Sequence, residues 1–171
     1  MAAFTLFVFA QAAVTRSGGQ SAADAAALAA ARESRDYLYE LFRDAILEDE
    51  DLGDVLAGVD FRTGSACTEA APRLAARNNA VVTACEPDVS RFGYTVEVET
   101  LDTVGDSIIP GTENQTARAT ATAVVAARCE PTSQEEEEIG LSCDERDWSF
   151  DPREDGEVPE ARDLFQVYLD D

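Results

Sequence analysis

The feature that most constrains the fold is a helix-favouring stretch that occupies roughly the first 47 residues. The opening run, MAAFTLFVFAQAAVT, is apolar, and a nearly pure alanine tract follows it, SAADAAALAAA. A helix that is apolar on all sides has to be covered by lipid or by protein. The run is short for a membrane span, which needs about 20 residues. Two coverings therefore stay open, a membrane into which a longer form of the helix inserts and partner subunits.

A glycine pair separates the apolar run from the alanine tract. Gly18 and Gly19 each weaken a helix by about 1 kcal/mol relative to alanine, and Ser21 followed by Asp24 could cap a new helix. The sequence thus leaves open one continuous helix with a soft joint or a restart at this point. Beyond it, helical spacing predicts a face directed at a core. The residues on that face are Leu28, Ala31, Leu38, Phe42, Ala45 and Ile46.

The remaining sequence predicts a small head of mixed structure. A short helix is expected at about residues 68–78, and strands are expected in AVVTACE, RFGYTVEVETLD, QTARATATAVVAARC and the C-terminal DLFQVYLDD, which we place at a sheet edge. Alternation directs Tyr94, Val96 and Val98 to one side of their strand. The expected fold class is α+β, a long N-terminal helix plus a head with a three- to four-stranded antiparallel sheet.

These patterns divide the chain into three parts. Residues 1–20 are expected to form an apolar helical stem, residues 21–50 an amphipathic continuation of the helix, and residues 51–171 an α+β head stapled by disulfides. Within the head, residues 130–142 contain four consecutive glutamates. Because adjacent like charges repel each other and resist folding, we expect a solvated acidic loop there.

Charge excludes several functions. The chain carries 35 acidic and 13 basic residues, a net charge of −22, and has no histidine and no lysine. No cluster of basic residues is available to bind nucleic acid or anionic lipid. Nucleophilic catalysis based on histidine and Schiff-base chemistry based on lysine are both excluded, so we expect no enzyme activity. The acidity fits either a solvated surface on an exported protein or adaptation to high salt.

The four cysteines form no C-x-x-C pair, which argues against a zinc site or a redox motif. An even number in an exported chain predicts two disulfides, with three possible connectivities. Pairing of sequence neighbours, Cys67 with Cys85 and Cys129 with Cys143, is the simplest. Buried free thiols are the alternative.

Two weaker signals concern metal ions and modification. The acidic segments DPREDGE and EDEDLGD offer oxygen ligands for calcium, but neither has the EF-hand spacing. We interpret both as solvated loops, and we expect no metal and no cofactor; a calcium-stabilised adhesive domain is a weaker hypothesis. Asn114, in NQT, fits the glycosylation sequon, although an unmodified polar turn is the simpler interpretation.

Several segments together resemble the TadE/TadG-like proteins of tight-adherence pilus systems, in particular the TadG-related pilus-assembly proteins. They are AVTRSGGQSAADAAALAAARE, TGSACTEAAPRLAARNNAVVTAC, YTVEVETLDTVGDSIIPGTE and ARATATAVVAARC, and they span most of the chain. The resemblance implies export, a long N-terminal helix with a small α+β head, and a role in a type IV-like surface filament or its assembly apparatus. If Met1 is the mature start, Thr5 stands at the position where type IV pilins commonly carry glutamate.

We therefore predict a pilin-like structural subunit of an extracellular filament, assembled from copies of itself and held at the inner membrane with other pilus-assembly proteins beforehand. The alternative is a monomeric, membrane-anchored accessory protein of the assembly or secretion machinery, or a cell-envelope binding module. In the filament, the stem and the alanine tract would pack between subunits, and the helix would meet its own sheet from Leu28 onward. The expected subunit-packing residues are Phe4, Leu6, Phe7, Val8, Phe9, Val14, Ala22, Ala23, Ala26 and Ala27.

Overall fold

The structure is a computed structural model of the 171-residue chain. It describes the backbone except at residues 1, 49, 60, 62–63, 104–115, 136–137, 155 and 171, and it describes side chains from Ser17 onward. The elements of these described parts, in chain order, are α1 (Ala2–Glu48), α2 (Leu52–Leu56), a π-helical turn (Ala66–Ala70), α3 (Ala71–Arg77), β1 (Ala80–Asp88), β2 (Gly93–Thr100), β3 (Arg118–Ala127), β4 (Cys129–Glu135), β5 (Glu138–Cys143), β6 (Trp148–Phe150), α4 (Ala161–Leu164) and β7 (Phe165–Leu169).

The N-terminal helix α1 is continuous through the glycine pair. Of the two alternatives that the sequence left open, the structure therefore has the unbroken helix. Alanine has the highest helix propensity, and the alanine tract that follows the glycines compensates for their cost. The helix ends at Glu48, close to the predicted end at Leu47, where a run of acidic residues opposes the helix dipole.

An antiparallel four-stranded sheet forms the centre of the head, with strand order β1-β2-β3-β7. This confirms the α+β class and the predicted antiparallel sheet. The alternation predicted for β2 is also confirmed, because Tyr94, Val96 and Val98 are all fully buried. On β3, Ala121 and Ala123 point to the same buried side. The C-terminal strand lies at a sheet edge, as predicted.

A second, three-stranded antiparallel sheet, β4-β5-β6, corrects one prediction. Residues 130–135 and 138–142 are strands and not a solvated loop, because β4 and β5 pair with each other, for example Glu130 with Ser142. The apolar side chains of this sheet are buried, and the described glutamates Glu130, Glu135 and Glu138 are exposed. Burial of alternate apolar residues therefore outweighs the local repulsion of the glutamates. The buried residues are Ile139, Leu141, Trp148 and Phe150.

The short helical region between α1 and the sheet is close to its predicted position. The π-helical turn and α3 together cover Ala66–Arg77, against a predicted helix at about residues 68–78. Pro72 stands in the first turn of α3, where its missing N–H leaves no intrahelical hydrogen bond unmade. This region packs against α1 and leads directly into β1.

Candidate functional site

The candidate functional surface is α1, and its buried stripe shows which part of the helix belongs to the head. The stripe follows a spacing of three and four residues and lies on the inner face of the four-stranded sheet. Its residues are small at the N-terminal end and larger toward the C-terminal end. They are Gly19, Ala22, Ala23, Ala26, Ala27, Ala30, Ala31, Ser34, Leu38, Phe42 and Ala45.

This stripe corrects the prediction for the alanine tract. Ala22, Ala23, Ala26 and Ala27 are each 0% exposed within the single chain. They belong to the core cluster that includes Val96 of β2 and alanines of β3. A side chain without accessible surface cannot contact a second subunit, so the expectation that these four residues pack between subunits is wrong. The partner of the alanine tract is the chain's own sheet.

Small residues on both sides explain why the helix and the sheet approach so closely. A methyl group placed on Gly19 would lie 3.6 Å from Cβ of Ala117 and 3.7 Å from Cβ of Ala119. These are ordinary van der Waals distances, so an alanine at position 19 would fill the space between α1 and β3. Gly18 has no atom within 4 Å of the corresponding position. The glycine pair thus marks the point where α1 enters the head.

The part of α1 before the glycine pair carries the other predicted packing residues. The side chains of Phe4, Leu6, Phe7, Val8, Phe9 and Val14 lie outside the described residues, and so does Asn114 with its sequon. Among the described residues, no helix combines the length and the apolar character needed to span a bilayer. Because the stem side chains are not among the described residues, their role in subunit packing stays a prediction.

A buried polar pair links α1 to the sheet. Ser34 Oγ and Tyr94 Oη are 2.5 Å apart, and both side chains are almost fully buried. Burial is the main cause that raises the pKa of Tyr94, whereas the hydrogen bond with Ser34 acts in the opposite direction. The sequence reasoning missed this contact. The sequence feature that could have predicted the contact is a serine at helical spacing from Ala31 and Leu38, on an otherwise apolar face of the helix.

Both disulfides have the sequence-local connectivity. Cys67 is bonded to Cys85 and thereby ties the π-helical turn to β1. Cys129 is bonded to Cys143 across the pair β4–β5, where the two residues stand opposite each other. The described part of the chain contains no free cysteine. Disulfides are typical of proteins in oxidising compartments, which is compatible with an exported protein.

The described residues of the two acidic segments that we considered for calcium form hydrogen bonds and ion pairs within the chain. Asp51 accepts a hydrogen bond from Gly53 N at 2.8 Å and so caps α2. Asp151 accepts one from Arg153 N, and Glu157 pairs with Arg146 at 2.8 Å. Within the described residues, no group of three potential metal ligands comes together.

One ion pair network connects the β1–β2 turn to the chain beyond β7. Ser90 Oγ donates to Asp88 at 2.6 Å, and Arg91 pairs with Asp88 at 2.8 Å and with Asp170 at 2.6 Å. The hydrogen bond from Ser90, followed by that from Arg91, lowers the pKa of Asp88 to about 2. These groups stabilise the end of the sheet where β2 begins and β7 ends.

Comparison with known proteins gives no match: no family model, no curated protein and no solved structure is significantly similar to this chain.

Proposed function

We propose that this chain is a pilin-like structural subunit of an extracellular filament of the type IV or tight-adherence class, assembled through its N-terminal helix. The observation that carries the proposal is the division of α1. The first contact of α1 with the sheet that the structure describes is at Gly19, so the 17 residues from Ala2 to Gly18 precede it. A helix of that length extends about 26 Å.

The composition of this stem supports assembly between subunits. Phe4, Phe7 and Val8 are among its apolar residues, and Arg16 is its only charged residue. Complete burial of such a side chain contributes about 1.5–3 kcal/mol. Several copies packed side by side would bury these residues without any contribution from the head. The stem thus supplies the free energy of assembly in this proposal.

The head has the properties that an exposed filament surface needs. One disulfide ties the π-helical turn to β1 and the other joins β4 to β5, and the head carries most of a net charge of −22. A large net charge keeps a protein soluble and opposes non-specific contacts between heads. Specific assembly through the stem and repulsion between heads are compatible, because charges farther apart than about 8 Å are largely screened at physiological salt.

The test compares filament formation by a stem variant and by a head variant of equal charge. In Phe7→Asp a charge enters the apolar stem, whereas in Tyr37→Asp it enters α1 at a position that is 37% exposed. We expect filaments from the native chain and from Tyr37→Asp in electron micrographs of the cell-surface fraction. Phe7→Asp should yield none, while its head keeps both disulfides.

The proposal fails if the native chain is found only as a monomer in the membrane fraction. That outcome would favour the alternative function, a membrane-anchored accessory protein of the assembly machinery. Filaments that form equally well from Phe7→Asp would also contradict the proposal, because they would show that the stem does not drive assembly.

A further inference from the structure

A cavity of about 450 Å³ opens beside α1 at the level where the helix enters the head. It lies beyond the end of β7, next to the part of β3 that β7 does not reach, because their register ends with Ala123 opposite Leu169. The charged side chains that line it are both acidic, Asp24 of α1 and Asp170, which follows β7. The cavity therefore favours a cation.

The two carboxylates of the cavity are only partly used within the chain. Asp24 accepts a hydrogen bond at Oδ1 from Gln20 at 2.7 Å, and Asp170 accepts one at Oδ2 from Arg91 at 2.6 Å. The second oxygen of each carboxylate has no hydrogen-bond partner among the described residues. Each can therefore accept a hydrogen bond from a cationic donor, and bonds of that kind are about twice as strong as neutral ones.

A backbone carbonyl adds a third acceptor. Successive residues of a strand direct their backbone groups to alternate sides, and Thr122 O accepts from Asp170 N on the side of β7. The C=O group of Thr120 therefore points to the same side, beyond the end of β7. Its one hydrogen bond from a described residue is long, 3.4 Å from Gln20 Nε2. Since a carbonyl oxygen has two lone pairs, it can accept a further hydrogen bond.

A complementary pair of arginines lies on α3. Arg73 and Arg77 are four residues apart, so they stand on the same face of the helix, and both are exposed. Most arginines with described side chains form an ion pair, but these two form none with a described residue, not even with Glu69 in the preceding turn. A guanidinium group carries five N–H donors in a planar fork that suits carboxylate and carbonyl acceptors.

The arginine pair and the cavity lie at the same level of α1. Before the π-helical turn, Ser65 donates a hydrogen bond to Glu33 of α1. After α3, Ala80 pairs with Thr100, whose Cγ2 would lie 3.4 Å from a Cβ on Gly19. α3 therefore runs antiparallel to α1, and its C-terminal end lies beside the first turns of α1 within the head. The same turns border the cavity.

The two surfaces lie at opposite edges of the four-stranded sheet. α3 packs on β1, whereas the cavity adjoins β3 and the end of β7, and the strand order is β1-β2-β3-β7. Adjacent strands are about 4.8 Å apart, so β1 and β7 are separated by about 14 Å. The arginine pair thus lies across the sheet from the cavity of its own chain, and pairing between them requires a second chain.

We infer that Arg73 and Arg77 of one copy bind in this cavity of a neighbouring copy. Their guanidinium groups donate to Asp24, to Asp170 and to the C=O group of Thr120. Charge complementarity selects a second copy, because the cavity needs a cation and this chain carries two exposed arginines without an acidic partner at the matching level. Each copy offers α3 to one neighbour and its cavity to another, so the contact is heterologous and extends an open assembly.

This contact rests on the proposed function, since it joins neighbours whose stems lie side by side. Because both surfaces lie at the same level of α1, the neighbouring helices stay parallel and need no large displacement along their axes. Exposed ion pairs each contribute little free energy, so the stem still drives assembly and the head contact determines which faces meet. The net charge of −22 does not prevent the contact, because repulsion beyond about 8 Å is largely screened at physiological salt.

The experiment measures the critical concentration for assembly of the full chain, by pelleting a dilution series of purified filaments and quantifying the chain left in solution. The variant Arg73→Glu/Arg77→Glu reverses the charge of the pair. The control Arg43→Glu/Arg153→Glu makes the same change in net charge at two exposed arginines elsewhere. Because each added subunit loses two ion pairs, we expect the first variant to raise the critical concentration about tenfold or more. The control should change it less than about threefold.

A compensating change tests the partner surface. Asp24→Arg alone should also raise the critical concentration. Combined as Arg73→Glu/Arg77→Glu/Asp24→Arg, the changes should recover most of the loss, because the glutamates of one copy then face the arginine of the next. Circular dichroism and intact disulfides in every variant provide the control for folding.

The outcomes separate this inference from the proposed function. Filaments of the native chain whose critical concentration is unchanged in Arg73→Glu/Arg77→Glu would overturn the inference and leave the proposed function standing. An equal rise in the control, or a triple variant that assembles no better than the double variant, would overturn it as well. A native chain that forms no filaments would contradict both.

Discussion

Replacing Ala26 by leucine tests whether the alanine tract of α1 belongs to the head. Ala26 is 0% exposed and lies in the core cluster between α1 and the four-stranded sheet. Ala25, its neighbour, is partly exposed and points away from the buried stripe. The variants Ala26→Leu and Ala25→Leu therefore make the same chemical change at a fully buried and at a partly exposed position of the same helical turn.

The expected magnitude follows from the close approach of helix and sheet. Near Gly19, an added Cβ would lie 3.6–3.7 Å from the Cβ atoms of Ala117, just before β3, and Ala119, in β3. Such a contact leaves no room for three further carbon atoms. Inserting extra carbon atoms into a packed core costs about 1–3 kcal/mol. The difference in helix propensity between alanine and leucine is small and equal for both variants. Ala26→Leu should therefore be about 1–3 kcal/mol less stable than Ala25→Leu.

The measurement is equilibrium unfolding in denaturant with thermal melting as a second readout. For a chain of this size each kcal/mol corresponds to about 2–4 °C in melting temperature. Circular dichroism of both variants at low temperature provides the control for folding. If Ala26→Leu is as stable as Ala25→Leu, the alanine stripe is not packed on the sheet and the reasoning is refuted.

Three further predictions concern the helix joint, a disulfide and an ion pair. Gly18→Ala should raise the free energy of unfolding by about 1 kcal/mol, because the position is helical and open; an unchanged value in denaturant melts would contradict this. Replacing Cys67 and Cys85 by serine opens a loop of 18 residues and should lower the free energy of unfolding by about 3 kcal/mol in denaturant melts. A free energy of unfolding equal to that of the native chain would contradict this prediction. Because the pKa of Asp88 is lowered from 3.8 to about 2, its ionised carboxylate stabilises the fold above pH 3.8, and this stabilisation is lost as the pH falls to about 2. The melting temperature of Asp88→Asn should therefore lie below that of the native chain at neutral pH and approach it in acid. A difference in melting temperature that does not change with pH would refute this assignment.

The sequence predicts well where the signal is local. Alternation in β2 and β3 depends only on neighbouring residues, and it correctly directed Tyr94, Val96 and Val98 to the buried side. Helical spacing likewise predicted Leu38 and Phe42 as core residues of α1. Both periodicities arise from backbone geometry and need no knowledge of the partner element.

The remaining features depend on contacts between distant residues. Four consecutive glutamates indicated a loop, but the structure pairs β4 with β5 through buried Ile139 and Leu141 and a cross-strand disulfide. The alanine tract predicted a closely packed neighbour, which we expected to be another subunit, and the fold identifies that neighbour as the chain's own sheet. The contact of Ser34 with Tyr94 joins residues 60 positions apart, a separation that periodicity does not address.

The most direct test of the proposed filament subunit is a cryo-EM reconstruction of the assembly purified from the cell surface. The proposal predicts a helical filament in which the part of α1 before Gly19 packs against the same segment of neighbouring subunits near the axis, with the acidic heads outside. A reconstruction with the heads in contact and the stems free, or a preparation that contains only single chains, would contradict it.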